Sequence, residues 1–250
     1  MNIAHLSDLH FGVHDPAAAS TLVADVAATA PDLTVVTGDL TMRARPGEFQ
    51  LARAFLDRLP APVLVVTGNH DLPLDSPQRL FRPYDRYRSF ISAELDPVVH
   101  VPGLTAVGLQ SMPWWRWKDG LVRRSQLALV DYTFAAAPPG DLRLVALHHP
   151  PSGRTLLNGR KLLLTGADLL LAGHTHHPDV RPTPGPVVVT AGTSTSRRTR
   201  GTPSSWSRIT VEQGMVTVVE RHFTAGGWRT GRLITVPRAD RRPASRPGAR

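Results

Sequence analysis

Short apolar runs and amphipathic stretches alternate through the first half of the chain. Residues 3–6 are mostly apolar and predict a strand; a loop follows, and residues 17–29 are rich in helix formers. Residues 33–37 read Leu-Thr-Val-Val-Thr, a β-branched run closed by Gly38. Pro46 suits the first turn of a helix reaching about Leu59, with Phe49, Ala52, Phe55, Leu56 and Leu59 on one face. Residues 63–67 predict a third strand, closed by Gly68. Strands alternating with helices imply βαβ units and a mostly parallel sheet covered on both faces. The second half predicts strands over 104–109, 142–147, 168–172, 187–190, 206–212 and 215–223, interrupted by a helix at 125–136. The last two strands read as a hairpin about Gln213-Gly214, with a further strand near 232–236. The expected fold is α/β: two packed mixed β-sheets, a β-sandwich, flanked by helices in one domain over 1–236.

Composition narrows the class. A chain of 250 residues with 41% hydrophobic and 20% charged positions can bury a substantial core and form a cleft. Nothing approaches the roughly 20 apolar residues needed to cross a bilayer, and the N-terminus lacks the pattern of a signal peptide. Those two features give cytoplasmic as the expected location and no membrane as a partner. With no cysteine, a disulfide framework, a thiolate metal site and a cysteine nucleophile are all excluded. Of the net charge of +9, four units belong to residues 237–250, an Arg/Pro-rich segment expected to be a disordered tail. The rest is mildly basic, so nucleic acid is possible as a partner but not favoured.

Chemistry concentrates where strands end. Asp8 and His10 follow the first strand, Gly38-Asp39 the second, and Gly68-Asn69-His70-Asp71 the third. His148 and His149 follow the strand at 142–147, and Gly173-His174-Thr175-His176 the one at 168–172. In a parallel sheet the carboxyl ends of the strands open on one edge, where ligands bind. Burying two aspartates and several histidines together without a counter-charge would cost several kcal/mol per unpaired charge; a pair of divalent cations removes that cost. The spacing of Asp8 and His10, and of His174 and His176, would put each pair on one side of an extended segment. Imidazole and carboxylate ligands without sulfur suit Mn, Fe, Co, Ni or Zn.

These five motifs, in this order and spanning residues 8–176, resemble the signature of the calcineurin-like metallophosphoesterases. The His148-His149-Pro150-Pro151 and Gly173-His174-Thr175-His176 segments are similar to those of bacterial class III cyclic-nucleotide phosphodiesterases. The resemblance implies a four-layer αββα fold and two metal ions. One ion would take Asp8, His10, Asp39 and His176; the other would take Asp39, Asn69, His148 and His174, with Asp39 bridging. It further implies hydrolysis of a phosphodiester or phosphomonoester by a metal-bridging hydroxide, with His70 as proton donor and Asp71 orienting its ring.

Other residues carry open readings. His149 is expected behind the ligands or facing substrate. Trp114, Trp115 and Trp117, with Arg116 and Lys118, either stack a nucleobase and hold a phosphate oxygen or fill a gap beside the sheet. In the segment 192–201 the hydroxyls and arginines, Arg197 among them, either reach phosphate or lie in an exposed loop. The expected substrate is a small-molecule or nucleotide phosphate ester, a cyclic nucleotide first. The alternatives are a nuclease on DNA or RNA, or a non-catalytic metal- or nucleic-acid-binding module. A monomer and a homodimer are both compatible with the sequence.

Overall fold

Successive side chains of the first strand face opposite ways, so Ile3 enters one apolar cluster while Ala4 and Leu6 enter another. The same two-sided burial recurs through both central sheets and explains why their strands read as unbroken apolar runs. The computed structural model describes residues 1–60, 62–74, 76–151 and 155–239. In chain order its elements are β1 (Asn2–Leu6), α1 (Pro16–Ala27), β2 (Leu33–Val36), α2 (Pro46–Leu56), β3 (Val63–Val65), α3 (Gln78–Phe81) and α4 (Asp85–Phe90). Next come β4 (Val98–Val101), β5 (Leu104–Leu109), β6 (Gly120–Leu121), α5 (Arg124–Ala136), β7 (Leu142–Leu147), β8 (Leu156–Leu157), α6 (Gly159–Leu162) and β9 (Leu169–Ala172). The chain continues with β10 (Asp179–Arg181), β11 (Val187–Thr190), β12 (Ser205–Glu212), β13 (Met215–Thr224) and β14 (Gly227–Pro237).

One six-stranded sheet has the order β14-β13-β12-β1-β2-β3, the other β10-β11-β9-β7-β5-β4; β6 and β8 pair separately. Both six-stranded sheets are mixed. β1, β2 and β3 run parallel, as do β5, β7, β9 and β11, while the flanking strands are antiparallel. Between the sheets lie Ile3, Val35, Leu64 and Ile209 from one side and Ala106, Leu144, Leu171 and Val189 from the other. On the outer face of the first sheet, Ala4, Leu6 and Val36 pack with Leu22 and Val26 of α1 and Phe49 and Ala52 of α2. On the outer face of the second, Val145, Leu147 and Leu170 pack with Val130 and Phe134 of α5 and Leu162 of α6. The layers are helix, sheet, sheet, helix.

Several elements escaped the sequence reading. β4 is an edge strand with alternate positions exposed, and α3, α4 and α6 are too short for a helical period to show. β14 begins five residues before the expected Arg232 and continues through Pro237, which pairs with Met215, so the ladder passes the expected domain boundary. The remainder of the expected tail, residues 240–250, lies outside the described residues. The hairpin turn is where it was expected: Gln213 and Gly214 both take positive φ, 49° and 75°.

Parallel strands fix the location of the functional loops. The segments after β1, β2 and β3 leave the carboxyl edge of one sheet, and those after β7 and β9 leave the carboxyl edge of the other. The two edges meet: the His148 ring donates from Nδ1 to the Thr37 carbonyl at 2.7 Å, joining the sheets.

Candidate metal centre

Each loop turns sharply as it leaves its strand. Among the described residues ten non-glycine positions have positive φ, and five of them are Asp8 (53°), His10 (49°), Asp39 (52°), His174 (70°) and His176 (63°). Left-handed backbone costs an L-residue roughly 1–2 kcal/mol, so this concentration marks a place where geometry is imposed by the surroundings. It also corrects one expectation. The pairs Asp8/His10 and His174/His176 do not share a side by strand alternation; left-handed turns redirect each side chain. Two glycines permit the loops to nest: a Cβ on Gly68 would strike Asp39 Oδ1, and one on Gly173 would strike the Ser7 hydroxyl.

The turns bring together Asp8, His10, Asp39 and His176, all buried, with one ligand-type atom from each mutually within 4.8 Å. Asn69, His148 and His174 form an adjoining group. The Asn69 Oδ1 lies 3.1 Å from both His148 Nε2 and His174 Nδ1, and those two nitrogens are 3.3 Å apart. Asp39 stands between the groups, its Oδ2 3.2 Å from His10 Nε2 and its Oδ1 3.4 Å from His148 Nε2.

Hydrogen-bond accounting shows what such a centre fits. The proton of a neutral His148 sits on Nδ1, which donates to Thr37, so the Nε2 lone pair points at the oxygens of Asp39 and Asn69. His176 repeats the pattern: Nδ1 donates to the Arg198 carbonyl at 2.7 Å, and Nε2 meets Asp8 Oδ1 at 3.1 Å. Asp8 Oδ2 accepts from the Ser7 hydroxyl (2.6 Å) and the His174 amide (3.1 Å), whereas buried Oδ1 has no hydrogen-bond donor. Lone pairs aimed at lone pairs in a buried site are satisfied by a cation. The donor set of carboxylates, imidazoles and an amide oxygen fits a pair of divalent transition-metal ions.

Protons alone compensate the site unevenly. Burial opposes charge on His148, but Asp39 and Asp8 overcome it and carry that imidazole up to about 9. Burial would raise the Asp39 and Asp8 carboxyls, yet the surrounding histidines hold both well below the usual carboxylate range. His174 is pushed down to about 4 by burial and by the neighbouring His148. Against its burial, His10 is raised as well by Asp39 and Asp8, whereas His174 is kept neutral with its lone pair available.

His70 is half-buried at the wall of a cavity of about 250 Å³ that also reaches Asp39, Asn69, His174 and His176. Its amide donates to Asp39 Oδ1 at 2.9 Å. Its ring is held by Nδ1 donating to the Met42 carbonyl at 2.8 Å, which leaves Nε2 as the free ring atom. Asp71 does not orient that ring, contrary to expectation. Its buried carboxylate accepts from the amides of Gly68 (2.8 Å), Leu40 (3.2 Å) and Thr41 (2.9 Å) and from the Thr41 hydroxyl (3.0 Å). Asp71 therefore ties the Asp39 loop to the Asn69 loop.

His149 lies near enough to His148 and His174 to be grouped with them as a ligand, and its ring packs on His174 at 4.6 Å between centroids. Both of its nitrogens are spent, however. Nε2 donates to the Lys118 carbonyl and Nδ1 accepts from the Ser111 hydroxyl, each at 2.8 Å. It is buried and supports His174, which corrects the substrate-facing reading. Trp114, Trp115 and Trp117 are 38%, 55% and 61% exposed and are not among the residues lining the cavity; Trp117 lies over the buried Arg79 guanidinium at 4.5 Å. Arg197 is exposed and also outside; Arg198, Arg200 and Lys118 line the cavity instead. Sequence reasoning named Lys118 as a phosphate-holding candidate and the arginines of 192–201 as a group, without separating Arg198 and Arg200 from Arg197. The Gly192–Gly201 run held the two arginines, but no sequence signal distinguishes neighbours whose directions depend on a loop.

Comparison with known proteins follows the same lines. The family model described as calcineurin-like phosphoesterase matches residues 1–178. A Synechococcus protein named a probable cyclic nucleotide phosphodiesterase is 29% identical over 160 residues, covering 60% of this chain and 58% of that protein. A Mycobacterium tuberculosis protein named a cAMP/cGMP dual specificity phosphodiesterase is 32% identical over 164 residues, 59% of this chain and 49% of that one. The glycerophosphodiester phosphodiesterase GpdQ of Enterobacter lignolyticus is 39% identical over 85 residues, 28% of this chain and 30% of that one. The matched part is thus less than two thirds of each relative's length. Among solved structures, a purple acid phosphatase from yellow lupin superposes over 95% of this chain and 53% of its own, with TM-score 0.69 at 10% identity. The inner-membrane-complex anchor GAP50 of Plasmodium superposes over 96% and 90%, with TM-score 0.64 at 10% identity. Identities this low speak to the fold alone.

Proposed function

The chain belongs to the calcineurin-like phosphoesterase family, and from that premise we propose that it is a dinuclear-metal phosphoesterase acting on a phosphodiester or phosphomonoester. The observation that carries the proposal is the buried carboxylate of Asp39, set between two adjoining groups of ligand-type side chains, 3.2 Å from His10 Nε2 on one side and 3.4 Å from His148 Nε2 on the other. Asp8, His10, Asp39 and His176 would hold one ion; Asp39, Asn69, His148 and His174 would hold the other. When bound, such a pair polarises the phosphoryl oxygens and ionises a water to serve as nucleophile.

The chain's own residues do the remainder. Asp71 fixes two ligand loops through their amides, so that Asp39 and Asn69 keep their separation. The carbonyls of Thr37 and Arg198 select the tautomers of His148 and His176 that leave Nε2 free to bind. His70, its Nδ1 proton engaged by Met42, has Nε2 available to protonate the leaving oxygen. The relatives' names make a cyclic nucleotide the first candidate substrate and a glycerophosphodiester the second.

Turnover of bis-(p-nitrophenyl) phosphate with added Mn²⁺ tests the reading. The expected result is hydrolysis that is abolished by chelation and slowed about 10²- to 10⁴-fold by His70→Ala with metal content unchanged. Turnover no faster than that of His70→Ala would overturn it in favour of a non-catalytic binding module.

A further inference from the structure

Three cations face the same cavity as the candidate metal centre. Lys118, Arg198 and Arg200 line it together with His70, Asn69 and His174. Some arginines elsewhere are matched to carboxylates, as Arg53 is to Asp57, Arg221 to Asp25 and Arg232 to Glu220. Among the described residues none of the three lining cations has a carboxylate within ion-pair distance.

The cations come from two separate connections, and both are rooted on histidines of the centre. Lys118, between β5 and β6, gives its carbonyl to His149 Nε2 at 2.8 Å. Arg198, between β11 and β12, gives its carbonyl to His176 Nδ1 at 2.7 Å. Thr202 then fastens the arginine loop by donating to the His176 carbonyl at 3.1 Å and the Thr199 carbonyl at 3.0 Å. Arg200 takes a left-handed backbone, φ 44°, within that fastened loop. The main chain is therefore fixed to the centre, and the three exposed side chains border the cavity, Arg198 with its Nη1 3.6 Å from the Met42 sulfur.

Charge counting indicates what they meet. Two divalent ions against the carboxylates of Asp8 and Asp39 leave positive charge in surplus, enough for the single negative charge of a simple diester or a cyclic nucleotide. Three further cations around about 250 Å³ are then unmatched. Electrostatic complementarity in so small a space favours a substrate that brings a second anion. We propose that Lys118, Arg198 and Arg200 form a subsite for a second phosphate, so that the preferred substrates are phosphodiesters carrying a further phosphate beside the scissile one. The inference rests on the phosphoesterase reading of the centre and selects among its substrates.

A matched pair of chromogenic diesters tests it: thymidine 5′-(p-nitrophenyl phosphate) and its 3′-phosphorylated counterpart, which share the scissile bond and differ by one phosphate. With the Mn²⁺-loaded protein at low salt, the 3′-phosphorylated compound should show about tenfold or higher kcat/KM, expressed in KM. Raising salt from about 50 to about 300 mM should shrink that ratio. The Arg198→Ala/Arg200→Ala double variant should bring it near one, and the double Arg→Lys variant should restore part of it. A second arm needs no turnover. Calorimetry on chelator-treated protein should show thymidine 3′,5′-bisphosphate binding more tightly than thymidine 5′-monophosphate, with the same loss in the double Ala variant. Equal kcat/KM for the two diesters, or a preference that survives the double Ala variant, would overturn the subsite. No hydrolysis of either diester would overturn the proposed function instead, and the calorimetric arm would still decide the subsite.

Discussion

Stripped of metal, the protein should lose stability as pH rises from 6.5 to 9. His148 is the reason. Buried beside Asp39 and Asp8, its imidazolium persists up to about 9, against 6.5 for an ordinary histidine. A folded-state value above the unfolded one means that the folded protein keeps a proton the unfolded chain releases. The stabilisation is therefore whole below pH 6.5 and gone above about pH 9. A gap of about 2.5 units corresponds to about 3 kcal/mol. At roughly 2–4 °C per kcal/mol for a chain of this size, Tm should fall by roughly 6–12 °C across the window. His10, also raised by Asp39, adds in the same direction. His174, lowered to about 4, and His5, lowered to about 3, act on the other side of the window: they cost stability as pH falls below 6.5 and the unfolded chain takes up protons that they refuse. In the Mn²⁺-loaded protein the His148 lone pair is engaged and the fall should vanish. Asp39→Asn, which removes the strongest attraction on that imidazolium, should flatten it even without metal. Thermal melts in chelator and in Mn²⁺, from pH 6 to 9.5, measure both curves. A metal-free Tm that is level or rising through the window, or a fall equally large with Mn²⁺, would refute the reasoning.

Two substitutions probe the scaffold around the centre. Gly68→Ala should lower both metal retention and Tm, because its Cβ would strike Asp39 Oδ1 and the Asp39 backbone nitrogen; metal content and thermal melts measure the two. Arg79 is buried, has no carboxylate partner among the described residues, and donates to the carbonyls of Pro73, Trp114 and Arg116 beneath the Trp117 ring. Arg79→Ala should cost about 3 kcal/mol and free the tryptophan loop, visible as a changed tryptophan emission that precedes global unfolding in urea.

The strand-end motifs were legible because their chemistry is in residue type and order. Asp8, Asp39 and His148 cannot be buried together cheaply in any fold, so their recurrence after apolar runs identifies a common edge. The two-sheet core was legible for a similar reason: runs such as Leu169 to Ala172 need burial on both faces. What stayed hidden depends on backbone carbonyls and loop direction. Nothing in the sequence says that Met42 rather than Asp71 would hold the His70 ring, since a carbonyl belongs to every residue. Likewise, whether Arg197 or Arg198 faces the cavity is set by the carbonyl that His176 takes from Arg198. The three tryptophans left stacking and packing equally open, and their exposed placement outside the cavity lining is set by a loop direction that residue type does not carry.

The central claim is that one carboxylate, Asp39, is shared by two adjacent cation sites. Elemental analysis of dialysed, Mn²⁺-loaded protein tests it most directly, taken together with the Asn69→Ala and Asp39→Asn variants. Two ions per chain in the parent protein, one in Asn69→Ala and almost none in Asp39→Asn is the expected result. A parent protein that retains no metal, or an Asp39→Asn variant that keeps both ions, would contradict it.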